Sequence, residues 1–197
     1  MKKWVLVVLL ALGLTACGGK NRELEQGLAL RGRVLQAAGC GFSAKITADY
    51  GDKVYGFSMD CQGDGEGNLS FTVTSPETIA GITGTLGGQG GALTFGDTAL
   101  AFPMLAEGLV SPVSGPWVVL NALRSGPITS AGREGEKLRL SLDDSYGDLP
   151  LHLDLWCDQA GTPILAEIWQ DGRTLLTISL ENFTLLSQTG ETGHNLG

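Results

Sequence analysis

Histidine and positive charge are both scarce in this chain, and each scarcity excludes a class of function. The histidines are His152 and His194, and two are too few for a histidine-based triad or a histidine-rich metal site. The 13 Lys and Arg residues form no cluster, and they are outnumbered by 21 Asp and Glu residues, which gives a net charge of −8. Because phosphate contacts dominate nucleic-acid affinity, we expect no nucleic-acid partner.

The sequence motifs of common enzyme classes are also missing. Neither a G-x-S-x-G nucleophile elbow nor a Walker phosphate loop occurs in the chain. The segment DGEGN at residues 64–68 begins like a calcium loop, but Leu69 occupies the sixth position, where such a loop requires glycine. We therefore predict a protein that is not an enzyme, with no catalytic residue, no metal and no cofactor.

Proline is infrequent, whereas glycine is abundant. The chain has 7 prolines and 30 glycines, and its hydrophobic fraction of 43% exceeds its charged fraction of 17%. This apolar content is sufficient for a core, which argues against disorder throughout the chain. The many glycines suit tight turns and favour β structure over a helical bundle.

The apolar run near the N terminus is too short to span a bilayer. It covers residues 4–14 and follows two lysines, Lys2 and Lys3. A membrane-spanning helix needs about 20 apolar residues, whereas the apolar region of a signal peptide is shorter. The LTAC sequence at residues 14–17 then resembles a bacterial lipobox, in which the cysteine accepts a diacylglycerol and becomes the first residue after cleavage.

This N-terminal pattern predicts a location for the protein. We expect residues 1–16 to be a lipoprotein signal peptide, Cys17 to be the lipidation site and residues 17–22 to be a lipidated tether. Membrane lipid would then be a partner through the acyl anchor, on the extracytoplasmic face of the cell membrane. The alternative is a plain secretory signal with a nearby cysteine, and the protein is exported in either case.

The hydrophobic periodicity predicts an α+β fold. Apolar residues recur at helical spacing over residues 22–38, and Pro116 can start a second helix over residues 117–123. Alternating patterns predict strands elsewhere, at residues 42–49, 55–61, 69–73, 79–86, 93–95, 99–102, 137–142, 151–157, 163–169 and 175–185. Residues 187–197 are polar and glycine-rich, so we predict a disordered tail.

The last two predicted strands form a hairpin whose register follows from its turn. A three-residue loop at residues 170–172, with Gly172 in the left-handed position, would place Ala166 opposite Leu176. The apolar residues of both strands then lie on one face of the sheet.

Three cysteines remain beside Cys17. A two-residue turn at residues 50–51 would place Cys40 directly opposite Cys61, and one at residues 51–52 would place them diagonally. We predict a Cys40–Cys61 disulfide, with two free thiols as the alternative. Cys157 follows the leucines of its strand and is predicted to be a small buried hydrophobe. If Cys17 is not lipidated, a Cys17–Cys157 pair is the competing interpretation.

The order of these elements resembles the LolA/LolB-like lipoprotein-carrier superfamily. The similarity includes a strand that ends in TSPE at residues 74–77 and a closing strand pair from Asp158 to Phe183 that contains GTPILAEI, DG and NF. The resemblance implies a LolA-like domain over residues 23–186. Its fold would be a curved antiparallel β-sheet, an open or half barrel, with an N-terminal helix and a central helix packed on the concave side. Members that carry a lipobox are themselves lipoproteins, and this chain is similar to them.

The resemblance also implies an apolar concave face that holds a lipid or a lipoprotein acyl chain. The candidate ligand-binding residues are the apolar residues of the predicted inner face: Phe42, Ile46, Tyr55, Phe57, Met59, Leu69, Phe71, Leu153, Leu155, Ile164, Ile168 and Ile178. The expected function is a membrane-anchored lipoprotein that binds or relays a hydrophobic ligand at the cell envelope. The alternative is an interaction or sensing lipoprotein with a filled core that binds a protein partner.

Overall fold

The structure is a computed structural model that describes residues 19–103, 105–106, 109–146 and 149–187. The predicted signal peptide, Cys17 and residues 188–197 of the predicted tail lie outside these ranges. Helix α1 spans Gly19–Gln36 and helix α2 spans Gly115–Ser125, directly after a short 3-10 helix at Pro112–Ser114. Both predicted helices are therefore confirmed.

Thirteen strands are described, and most match the strands that the alternating pattern predicts. They are β1 (Gly39–Asp49), β2 (Val54–Asp64), β3 (Leu69–Ser75), β4 (Thr83–Gly87), β5 (Gly90–Phe95), β6 (Thr98–Phe102), β7 (Leu105–Ala106), β8 (Leu109–Val110), β9 (Ile128–Glu134), β10 (Lys137–Tyr146), β11 (Leu149–Cys157), β12 (Pro163–Gln170) and β13 (Arg173–Leu186).

Eleven of these strands form one open antiparallel sheet. Its order is β6-β5-β4-β3-β2-β1-β13-β12-β11-β10-β9, so β6 and β9 are its edges, and β7 pairs separately with β8. Strand β1 pairs with β13 as well as with β2, and this pairing joins the N-terminal strands to the C-terminal ones. The α+β class and the open antiparallel sheet are as predicted.

The inner face of the sheet is apolar because side chains alternate along each strand. Register then aligns these residues in rows across the strands. One fully buried row runs from β10 to β1 through Leu140, Leu155, Ala166, Ile178 and Ile46.

Helix α2 packs on this inner face and closes the centre of the core. Its side chains from Pro116 to Leu120 are buried, as are Ala122 and Leu123. Gly115 allows the close approach, since a Cβ there would lie 2.8 Å from Ile178 Cδ1 and 3.0 Å from Leu176 Cδ1.

Helix α1 packs on β9, β10 and α2. Its Arg31 donates a 2.8 Å hydrogen bond to the Leu123 carbonyl and a second one to the Gly126 carbonyl. The terminal carbonyls of a helix lack partners within the helix, so Arg31 caps α2 and links the two helices.

One predicted strand begins later than expected, and three strands were not predicted: β7, β8 and β9. The strand predicted over residues 79–86 begins only at Thr83, because residues 77–81 form a turn in which Gly81 has φ = 86°. Strand β9 was not predicted, because its sequence ITSAGRE has no apolar alternation. It is held by pairing with β10.

The predicted register of the last hairpin is wrong by two residues. Ala166 lies opposite Ile178, not Leu176. The loop is a two-residue turn in which Asp171 and Gly172 both have positive φ, and an irregularity follows between Ile168 and Trp169. Because the shift is an even number of residues, the apolar set stays on the inner face.

The predicted Cys40–Cys61 disulfide is absent from the structure, in which both residues are buried free thiols. The turn between β1 and β2 places Cys40 opposite Gly63 and Cys61 opposite Phe42. The cysteines are therefore diagonal neighbours, and diagonal pairs lie about 7–8 Å apart, beyond the usual Cα separation of a disulfide. Cys157 is also a buried free thiol, as its strand pattern predicted.

Candidate functional site

An apolar groove of about 770 Å³ lies at the end of the sheet where β1 turns into β2. Three segments form its walls: the β1–β2 hairpin, the connection between β3 and β4, and the segment that leads into the 3-10 helix. The lining residues are Tyr50, Asp52, Lys53, Tyr55, Gly56, Phe57, Pro76, Ile79, Leu109, Pro112 and Val113. We call this space the hairpin groove.

The first wall continues the apolar rows of the inner face beyond the buried centre. Phe57 lies opposite Ile46, and Tyr55 lies opposite Ala48. Ile46 and Ala48 are fully buried, whereas Phe57 is half-buried and Tyr55 is 47% exposed. The apolar rows therefore emerge from the core at β2 and end in the groove.

Tyr50 joins the hairpin wall to the opposite wall. Its hydroxyl donates a 2.8 Å hydrogen bond to the Val110 carbonyl, and its ring meets that of Tyr55 edge-on at 6.1 Å. Burial, and after it the neighbouring Tyr55, raises the pKa of Tyr50 to about 12. The hydroxyl therefore keeps its proton even at moderately alkaline pH, and its hydrogen bond links the two walls.

The remaining wall comes from the turn between β3 and β4. The Ile79 amide donates a 3.0 Å hydrogen bond to the Pro76 carbonyl, and this turn presents the Ile79 side chain to the groove at 37% exposure. Asp52 and Lys53 are the charged residues of the lining, and they lie at the hairpin turn. The groove can therefore bury an apolar group while a polar end remains near Asp52 and Lys53.

The structure divides the predicted ligand-binding residues into two sets. Tyr55 and Phe57 line the groove. The remainder belong to the core or its border: Ile46, Met59, Leu69, Leu153, Leu155, Ile168 and Ile178 are fully buried, Phe42 and Phe71 are buried, and Ile164 is half-buried beside the β9–β10 turn.

Sequence reasoning missed the residues on the far walls. Ile79 was assigned to the strand predicted over residues 79–86, which begins only at Thr83. Leu109 and Val113 lie in segments without a sustained apolar period, so no pattern assigned them to a face. Tyr50 was assigned to a turn, which is correct, but its contact with Val110 is 60 positions away in sequence. The one sequence feature that could have indicated the groove is the pair of aromatic residues at this turn, Tyr50 and Tyr55.

A separate polar cluster lies on the outer face of β10 and β11. Asp154 is buried there and accepts hydrogen bonds from Arg139 Nη2 at 2.6 Å and Ser141 Oγ at 2.7 Å. His152 Nε2 lies 3.4 Å from Asp154, and the Arg139 guanidinium lies over the Trp156 ring. Burial, the largest single influence, would raise the pKa of Asp154, but the two hydrogen bonds and the nearby charges of Arg139 and His152 together lower its pKa.

Within the described ranges, no group of three or more His, Cys, Asp or Glu side chains is placed to hold a metal ion. In the same part of the chain, neither helix is long and apolar enough to cross a bilayer.

Comparison with known proteins identifies the fold. No protein-family profile and no curated protein matches the sequence. A putative outer membrane lipoprotein-sorting protein domain from Vibrio parahaemolyticus is 10% identical with a TM-score of 0.51, and the match covers 86% of this chain and 94% of that one. The fold is LolA-like. A LolA superfamily protein from Nitrosomonas europaea, also 10% identical, has a TM-score of 0.43 over 82% of this chain and 94% of that one.

Proposed function

We propose that this protein is a membrane-anchored envelope lipoprotein that holds an acyl chain in the hairpin groove and catalyses no reaction. The observation that carries the proposal is the open apolar groove beside a filled core. Its volume of about 770 Å³ lies within the range of roughly 300–1,000 Å³ that is usual for small-molecule sites. The LolA-like fold supports a hydrophobic ligand, since the similar domain is named for lipoprotein sorting.

The lining of the groove favours a chain-like apolar ligand. Tyr55, Phe57 and Ile79 offer partly exposed apolar surface to a ligand. Burial of each methylene group of a ligand contributes about 0.8 kcal/mol, so a long acyl chain could bind without strong polar contacts. Lys53 at the hairpin turn is placed to meet the polar end of such a ligand.

The anchor determines what such a protein can do with its ligand. The LTAC sequence supports lipidation of Cys17, and helix α1 begins at Gly19, only two residues later. A protein attached by so short a tether stays at the membrane surface. It would therefore receive or hold a ligand at the extracytoplasmic face of the membrane. It would not carry the ligand over a distance.

Protein binding without a lipid ligand is the second candidate function. It is favoured by the filled centre of the sheet, where Ile46, Leu155 and Ile178 are fully buried and α2 packs on the inner face. In that case the groove would accept a side chain or a short segment of the partner.

A fluorescence assay with an apolar probe tests acyl-chain binding. Ile79→Asp places a carboxylate in the groove, and we expect it to weaken probe binding at least about tenfold, or 1.4 kcal/mol. Phe95→Asp is the matched control, because Phe95 is an exposed apolar residue outside the groove. A fatty acid should displace the probe from the wild type and from the control variant. Equal probe binding by the two variants would contradict the assignment of the groove.

A further inference from the structure

Helix α1 has an apolar face that the fold does not use. Gly27, Leu30 and Val34 form its buried side, which packs toward β9 and β10. Leu24, Leu28 and Leu35 lie on another side, at exposures of 37%, 50% and 50%. At 3.6 residues per turn these three leucines fall within roughly 40° of one another around the helix axis. We call them the leucine stripe.

The exposed residues of α1 outside the stripe are mostly polar or charged. Arg22, Glu25 and Gln36 are exposed on the side away from the stripe, together with Ala29 and Arg33. Isolated exposed leucines are ordinary, but three aligned on one side of one helix mark a surface that another apolar phase can cover.

We propose that the leucine stripe lies on the membrane that holds the acyl chains of Cys17, an inference that rests on the lipid anchor of the proposed function. Gly19 begins α1 two residues after Cys17. With a rise of about 1.5 Å per residue, Leu24 lies roughly 8 Å along the helix from Gly19, and Leu28 lies roughly 14 Å from it. An interfacial helix buries its apolar side about 5–10 Å into the headgroup boundary, so these side chains are within reach of the lipid.

The basic residue nearest the anchor fits the same surface. Lys20 lies between Cys17 and the first leucine of the stripe, where anionic headgroups attract a basic residue. Glu23 is half-buried with its carboxylate 3.9 Å from Arg133 Nε, so an internal cation partly compensates its charge. The membrane would therefore meet a basic end and an apolar side of α1.

This contact would fix the orientation of the protein. Helix α1 packs on the β9 and β10 side of the sheet, whereas the hairpin groove lies at β2 and the segment around Leu109. With the stripe on the bilayer, the acyl anchor and the groove would belong to different regions of the molecule, and the groove would stay open to a ligand.

The test uses the full-length acylated protein in vesicles of phosphatidylethanolamine and phosphatidylglycerol with brominated acyl chains. Leu28→Cys carries an environment-sensitive fluorophore, and Ala29→Cys is the control, because Ala29 is exposed about 100° further around the same helix turn, outside the stripe. The three native thiols outside the anchor are buried, so labelling is directed to the new cysteine. We expect a blue shift and quenching at position 28 but a water-like spectrum at position 29.

Three other results are possible, and each of them would overturn the proposal for a different reason. Equal spectra at the two positions, with Cys17 acylated by mass spectrometry of the N-terminal peptide, show that the stripe is not on the membrane although the anchor exists. A blue shift at position 28 without quenching shows contact with a second copy of the chain. An unacylated Cys17 removes both the anchor and the stripe contact. Probe binding in the groove, measured on the same preparation, is independent of all three results.

Discussion

Asp154 is a buried carboxylate on the outer face of the sheet, and it depends on its neighbours for stability. Its side chain is 2% exposed and accepts hydrogen bonds from Arg139 and Ser141. The Arg139 side chain is 43% exposed, so water screens the ion pair, and the hydrogen bonds are the larger contribution.

Asp154→Asn should therefore destabilise the protein by about 2 kcal/mol near neutral pH, because a charge-assisted pair of hydrogen bonds becomes weaker. The pKa of Asp154 is lowered in the folded state, so its contribution is complete above the unfolded value of about 3.9 and is lost as pH falls through the folded value. Urea unfolding at about pH 7 and about pH 3 checks this prediction. The difference between wild type and variant should shrink at the lower pH, and a constant difference would contradict it.

The buried cysteines are a second feature at the scale of single residues. Burial raises the pKa of Cys40 and Cys61, and it raises the pKa of Cys157 to about 12. Since the thiolate is the reactive form, all three should be inert toward a thiol-specific reagent in the folded protein.

We expect these three thiols to react together once the protein is unfolded in denaturant without reductant. A Cys40–Cys61 disulfide would leave only Cys157 to react, so the count distinguishes the two states. The raised pKa values also imply that stability is complete below about pH 8.5 and declines as pH rises, because the unfolded chain ionises first. Urea midpoints that stay constant at alkaline pH would oppose this expectation.

At the scale of elements, α2 packs closely on the sheet because Gly115 lies against Ile178 and Leu176. Gly115→Val would place new methyl groups against Ile178 and Leu176, where even a Cβ would lie 2.8 Å from one of them. We expect destabilisation of about 1–3 kcal/mol in urea unfolding, because overpacking forces the side chains away from their preferred positions.

Gly132→Val is the matched control for this contact. Gly132 lies in edge strand β9, where a Cβ would have no neighbouring atom within 4 Å, and valine suits a strand. Its free energy of unfolding should stay within about 0.5 kcal/mol of the wild type. If the two variants lose equal stability, the loss does not come from packing between α2 and the sheet.

Hydrophobic periodicity predicted most helices and strands, because each of them buries one side in the core and so has apolar residues at regular spacing. The two helices, the first hairpin and the hairpin at residues 96–97 follow from apolar spacing and turn residues alone. The sequence left the turn of the first hairpin open between residues 50–51 and 51–52, and the structure has the second. Strand β9 could not be predicted in this way, since its ITSAGRE sequence takes its structure from β10. The register of the last hairpin depends on an irregularity beside Trp169, for which the sequence has no marker.

The candidate site was predictable only in part, because some of its residues come from turns rather than from a periodic strand. Tyr55 and Phe57 belong to the alternating pattern of β2 and were assigned to the apolar face. Ile79 and Leu109 enter the groove only because separate turns bring them to the same end of the sheet. Which inner-face residues are covered depends on α2, so the sequence alone did not separate the buried Ile46 from the exposed Tyr55.

At the scale of the whole molecule, a filled centre and an open end serve different purposes. Helix α2 and the inner rows form the stable core, while the hairpin groove leaves apolar surface for a ligand. A Cys17 anchor would hold this structure at the membrane, and the leucine stripe would orient it there. Together these features would make the protein a fixed holder of an acyl chain, as we propose.

Native mass spectrometry of the protein after gentle extraction from membranes tests this account most directly. The account predicts a non-covalent lipid mass on the wild type and on Phe95→Asp, and a loss of that mass in Ile79→Asp. A wild-type protein that is consistently free of lipid, although folded and acylated at Cys17, would contradict it.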